Sequence, residues 1–212
     1  MVHTDCQRPV VIIMSVSRGL IVGIVVLVVV IGVVVWGVGI NNQLVGLDQQ
    51  VNAAWAQVQN QYQRRADLIP NLVETVKGFA AQERGVLESV TQARARATGV
   101  QLTPEALNDP RAMERFQAAQ RELSGALSRL LVTVERYPEL KSNQNFLDLQ
   151  KSLEGTENRI AVERKRFNDA VAAYNTRTRL FPGSLVARVA GYPPKSFFEA
   201  APDAATPPRV KF

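Results

Sequence analysis

Hydrophobic residues fall along this chain in two patterns. Residues 20–40 are apolar or glycine without a break, and after Asn41 apolar residues return at every third or fourth position. As a helix, the unbroken run rises roughly 32 Å at about 1.5 Å per residue, enough to cross a hydrocarbon core of about 30 Å. It is far too long for a strand, and core helices are rarely apolar all round for this distance. Signal-peptide apolar stretches run only about 7–15 residues, and Gly37-Val38-Gly39 is a poor cleavage site. The pattern therefore predicts a retained transmembrane helix over 20–40. Residues 1–19 form a short N-terminal segment, in which Met14 is a candidate start.

In the second pattern, Leu44, Leu47, Val51, Ala54, Val58 and Tyr62 mark one face of a helix. Asp67 is placed to cap a second helix, with Pro70 in its first turn. Ile69, Leu72, Val76, Phe79 and Val90 give that helix its stripe, with the acidic Glu83 taking the position between Phe79 and Val86. Gly99, Pro104, Asn108 and Pro110 interrupt. Met113, Phe116, Gln120, Leu123, Leu127, Leu130 and Val134 then alternate steps of three and four until Tyr137-Pro138, where the residue before proline leaves the α region. Phe146, Leu149, Leu153, Thr156, Ile160, Glu163, Phe167, Ala170 and Tyr174 mark the last helix, which Phe181-Pro182-Gly183 stops. The predicted fold class is all-α: a single N-terminal transmembrane helix, then an antiparallel up-and-down bundle of about four long helices over 41–183. Residues 184–212 read as a Pro-rich tail, with a helical turn near 184–189 and disorder after about 199.

Composition removes most chemistry from the bundle. The only Cys and the only His are Cys6 and His3, both ahead of the apolar run. The bundle thus has no intrachain disulfide, Cys/His zinc site, Cys nucleophile or His general base. Its carboxylates, Glu83, Glu88, Glu122, Glu135, Glu154 and Glu157, lack the Glu-x-x-His pairs of a di-iron bundle. No catalytic residue, metal or cofactor is expected, and the chain reads as a non-enzyme. The formal charge is +6, but the basic run Arg164-Lys165-Arg166 winds around its helix with no interleaved aromatics, so nucleic acid is not an expected partner. Lys195, Arg209 and Lys211 could add weak attraction to acidic headgroups.

Three groups remain as candidate structural or partner motifs. Arg64, Arg65 and Asp67 fall at the expected helix junction near Asn71, where one Arg can pair with the Asp. Thr156, Glu157, Asn158 and Arg159, with Asn168 and Asn175, put polar groups on or beside an apolar stripe, which suits an internal hydrogen-bond network or a small polar ligand. Trp55 sits beside Ala54 and so opens a second apolar face on its helix. That face packs under the tail or in the core, or else it is an interface for a second copy or another protein.

The stretches LDQQVNAAWAQVQNQYQRRADLIPNLVETVKGFA (47–80), YPELKSNQNFLDLQ (137–150), LEGTENRIAVERKRFNDAVAAYN (153–175) and RLFPGSLVA (179–187) together resemble the LemA family. The likeness runs from the apolar segment to about Phe198. It implies a helical bundle on one N-terminal membrane anchor, with no established molecular function. Many members have a His before the Glu where this chain has Gln82-Glu83, so any role built on that His is absent. The expected role is a membrane-anchored scaffold or interaction protein, coiled-coil-like in its seams. The alternative is a tethered sensor binding a small polar ligand. Expected partners are the membrane and either a second copy or other membrane proteins, a membrane-bound protease among those the resemblance implies. In the cell membrane, Arg18 and the terminal amine place the N-terminus in the cytoplasm and the bundle outside. Descriptions of the family often place them the other way, which leaves the orientation open.

Overall fold

A computed structural model describes residues 18–199 of the chain. The candidate start at Met14 and the disorder expected after 199 lie outside the described residues. The chain divides into two units, Met1–Ile40 and Asn41–Phe212. The described part of the first unit opens helix α1 (Arg18–Phe79). Its valines and isoleucines are largely exposed, as in Val22 and Val35, and it is long and apolar enough to cross a membrane.

The second unit is a helical bundle. After α1 come α2 (Arg84–Gly99), a 3-10 turn (Glu105–Asn108), α3 (Pro110–Val134), the short α4 (Pro138–Lys141), α5 (Gln144–Arg179) and α6 (Gly183–Ala190), and there is no strand among the described residues. Local chemistry starts the long helices. Asp109 accepts a hydrogen bond from Arg111 N at 2.9 Å, with Pro110 in the first turn of α3. Asn143 does the same for Phe146 N at 3.1 Å, opening α5. Cross-contacts set the directions. Tyr62 packs on Phe116, and Arg65 bonds Gln120 and Ser124, so α1 and α3 run together. Arg65 also bonds Glu157 while Gln43 bonds Arg177, so α5 runs back along α1. With α2 also returning, the topology is up-down-up-down.

The expected helix start at Asp67 is corrected: α1 continues through Pro70 to Phe79. A proline inside a helix removes the N–H that would bond the carbonyl four residues earlier, and it usually kinks or ends the helix. Here that carbonyl, Ala66 O, accepts a hydrogen bond from Arg94 Nε of α2 at 2.7 Å. The break falls instead at Ala80–Glu83, where the sequence pattern runs on. Glu83 there accepts from Tyr137 Oη at 2.8 Å and from Arg136 at 3.1 Å, so the α3–α4 corner holds the turn. Gln82 donates to the same Tyr137 oxygen at 3.0 Å.

The interior has two apolar clusters. One gathers Ile69, Leu72, Val76, Val90, Leu123, Leu130, Val134, Leu140 and Phe146. The other gathers Val51, Trp55, Val58, Tyr62, Leu107, Phe116, Ile160, Phe167, Tyr174 and Phe198. Between them, at the level of Arg65, lies a polar layer.

Candidate functional site

The polar layer is built from Arg65 on α1, Gln120 and Ser124 on α3, and Glu157 on α5. Arg65 is 2% exposed although charged. Its guanidinium donates to Gln120 Oε1 and to Ser124 Oγ at 3.1 Å, both on α3, and to Glu157 Oε2 on α5 at 2.9 Å. Burial of an unpaired guanidinium would be strongly unfavourable, so these bonds are what permit it to stay inside. Gln120 in turn donates to Ala97 O at 3.3 Å, bringing in α2. The layer fixes the axial register of α1 against α3 and α5, because sliding α1 by a turn strands the Arg65 charge, and the Gln120 bond to Ala97 O ties α2 to α3 at the same level. A cavity of about 60 Å³ opens beside it, lined by Tyr62, Arg65, Gln117, Gln120, Glu157 and Arg164. Arg65 Nε and Gln117 Oε1 are both buried and without a protein partner there. Burial pushes the Tyr62 phenol above its ordinary value, with Arg164 and Arg65 opposing the rise.

The second polar feature is a strap. Residues 193–199 run extended along α5 and are bonded to it at regular intervals. Asn175 donates through Nδ2 to Lys195 O at 2.9 Å and accepts from Lys195 N at 2.9 Å. Asn168 does the same with Phe198, at 3.0 Å and 2.9 Å. Each side-chain amide thus imitates a neighbouring β-strand. The spacing is geometric: seven helical residues rise about 10.5 Å, and three extended residues advance about 10 Å. Tyr174 Oη donates to Pro193 O at 3.0 Å, and Ser196 N donates to Leu107 O at 2.9 Å. Lys195 pairs with Asp48 of α1 at 2.8 Å. Phe198 then enters the aromatic cluster, with ring centroids 5.4 Å from Phe167 and 5.9 Å from Trp55. Burial pushes the Tyr174 phenol up to about 12, with Asp48 and Tyr192 adding to the rise.

Of the residues singled out from sequence, the structure brings Arg65 and Glu157 together and leaves the rest of their groups scattered. The pairing of an Arg with Asp67 is corrected: Asp67 is exposed and accepts from Gln63 Nε2 at 2.7 Å. Arg64 and Asn71 are exposed, and Asn71 contributes its carbonyl to Thr75 Oγ1. Thr156 is fully buried and donates to Ser152 O at 2.7 Å, with Arg159 reaching its hydroxyl at 3.3 Å. Asn158 is exposed and lies outside the buried network.

Asn168 and Asn175 do not bond within the seam; they hold the strap. Trp55 as an exposed interface is also corrected. It is 1% exposed, its indole N–H donates to Leu102 O at 3.1 Å, and Phe116, Phe167 and Phe198 enclose it. Lys195, which would meet acidic headgroups only where the tail faced lipid, is 8% exposed and paired with Asp48. Gln120, Ser124, Asp48 and Phe198 were missed as parts of either feature. Gln120 stood on the apolar stripe of α3 and was the one available signal. Among the described residues, no group of His, Cys, Asp and Glu could hold a metal ion.

Comparison with known proteins gives a consistent picture. The family described as LemA matches residues 54–212. The chain is similar to the magnetosome protein MamQ of Magnetospirillum gryphiswaldense, at 27% identity over 78% of this chain and 67% of that protein. It is similar to magnetosome protein MamQ 2 of Paramagnetospirillum magneticum at 25% identity over the same shares.

Proposed function

The chain belongs to the LemA family, and from that membership we propose that this membrane-associated helical protein is a single-pass scaffold. It holds a bundle at the membrane surface for other proteins to assemble on, and it has no catalysis of its own. One observation carries the reading most of the way. The buried polar side chains Arg65, Asn175 and Lys195 and the half-buried Asn168 are each bonded to another part of the same chain, so they serve the architecture. The bundle also lacks His and Cys, the residue types most often used as general bases and nucleophiles. The test is photo-crosslinking of the full chain in native membranes from exposed positions on α3 and α5. Recovery of the same defined partner from neighbouring positions supports the scaffold. Turnover of a substrate that survives purification, and is lost in a Glu157→Gln variant, overturns it.

A second reading, a tethered sensor, draws on the cavity beside Arg65, where one donor and one acceptor lie buried without partners. Its volume suits a small polar molecule. A thermal-shift screen of the full chain in detergent tests it. A ligand at about 100 times its Kd adds roughly 2.7 kcal/mol, and loss of that shift in Gln117→Leu would place it in the cavity. For orientation, we propose the N-terminus in the cytoplasm and the bundle outside, on the charge of Arg18. Reporter fusions after Phe212 that work only in the cytoplasm overturn that choice.

A further inference from the structure

The residues that follow α5, together with the short α6, carry an apolar stripe that no described residue covers. Phe181, Leu185 and Val189 follow one another at steps of four, which keeps Leu185 and Val189 on one face of α6. They are 79%, 59% and 84% exposed, and the adjoining Leu180 is 57% exposed. The opposite face of α6 is buried through Gly183 and Ala187. Gly183 sets this geometry. A Cβ there would lie 2.2 Å from Arg177 O, so only glycine lets α6 start this close against the end of α5. The stripe is therefore held outward by the backbone.

Charge and position say what the stripe meets. Arg179 and Arg188 are exposed on either side of it, and no Asp or Glu occurs between Asp169 and Glu199. Arg177 donates to Gln43 Oε1 at 2.7 Å, and Gln43 follows the last residue of the apolar run, Ile40, by three positions. The stripe thus belongs to the end of the bundle where the chain leaves that run. A second copy docked stripe to stripe would set arginine against arginine. An apolar stripe edged with arginine matches the boundary between acyl chains and acidic headgroups, where the aliphatic part of each side chain is buried and the charge reaches phosphate.

We propose that Leu180, Phe181, Leu185 and Val189 insert into the interface of the membrane that residues 20–40 cross, with Arg179 and Arg188 against acidic lipid phosphates. The bundle then has a second, peripheral membrane contact besides its anchor. This inference rests on the reading of residues 20–40 as a span. The test uses the full chain with Cys6→Ser, in nanodiscs of mixed phosphatidylglycerol and phosphatidylcholine. Single nitroxide labels go on Val30→Cys, Val132→Cys and Val189→Cys. Val132 is 71% exposed on α3 near the α4 corner, at the other end of the bundle.

The Val189 label is expected to favour dissolved oxygen over a water-soluble nickel chelate, as a label at the Val30 position does, while the Val132 label meets nickel freely. Adding Arg179→Gln and Arg188→Gln should raise nickel access at Val189 several-fold in the anionic discs. Nickel access at Val189 equal to that at Val132, with Val30 still in lipid, overturns the second contact and leaves the anchor standing. Nickel access at Val30 overturns both. Spin–spin broadening at Val189 that scales with the number of chains per disc identifies a second copy as the occupant, and it too overturns the proposal.

Discussion

Trp55 is surrounded by rings from three separate segments: Phe116 at 5.3 Å on α3, Phe167 at 5.5 Å on α5 and Phe198 on the strap. Truncating such a side chain leaves a cavity the neighbours cannot fill, at a cost of about 3–5 kcal/mol. Trp55→Ala should lower the denaturation midpoint of the full chain accordingly, with its oligomeric state in mild detergent unchanged. Ala54 and Trp55 together read as two faces of a helix, one of them spare. Both faces are covered, because α1 meets α3 on one side and α5 with the strap on the other. A second residue-scale prediction concerns Tyr174. Its phenol titrates near 10.0 when unfolded and at about 12 when folded. The folded state therefore holds the proton more tightly. The stability this confers is complete below pH 10 and is lost as pH rises from about 10 to about 12. Unfolding by urea at about pH 9 and about pH 11 should show that loss in the wild type and a smaller one in Tyr174→Phe.

At the scale of elements, α1 passes Pro70 because α2 supplies the missing donor. Arg94→Leu should leave Ala66 O unpaired, at roughly 1–3 kcal/mol. Pro70→Ala returns a backbone N–H to that carbonyl, so Arg94→Leu should cost less in that background. A double-mutant cycle by chemical denaturation reads the coupling, and additive effects would mean the arginine is not the replacement donor. The same pair marks what the sequence could and could not convey. The seams of α3 and α5 were legible residue by residue, since Met113 through Val134 and Phe146 through Tyr174 keep a helical period that nothing contradicts. Pro70 reads as a helix start because that is its commonest local meaning, and the donor that overrides it, Arg94, lies 28 residues beyond the carbonyl it serves, Ala66 O. The break at Glu83 was invisible for the same reason: its partners, Arg136 and Tyr137, are distant in sequence. The strap left almost no trace. Its bonds join Asn side chains to backbone, and backbone groups look alike at every position.

For the whole molecule, the layer around Arg65 separates two apolar cores that need not be equally secure. The cluster around Leu72 and Leu130 is completed by the helices and the turn at Ala80, whereas the cluster around Trp55 is closed by Phe198. Deleting residues 193–212 should accelerate amide exchange around Val51–Tyr62 and in α5 near Phe167, and should leave the region around Val76 and Val90 protected. Uniform loss of protection would mean that the two cores unfold as one. Phe198 is also, among the described residues, the last of the buried core to be made. At about 5–20 residues per second it follows Trp55 from the ribosome by roughly 10–30 s. Throughout that interval the indole has no lid, and in a chain whose translation stops early it never gains one. Synthesis as far as Phe198 is thereby written on the folded surface: a chain that reaches it covers the last side of Trp55, and one that stops short leaves that side open.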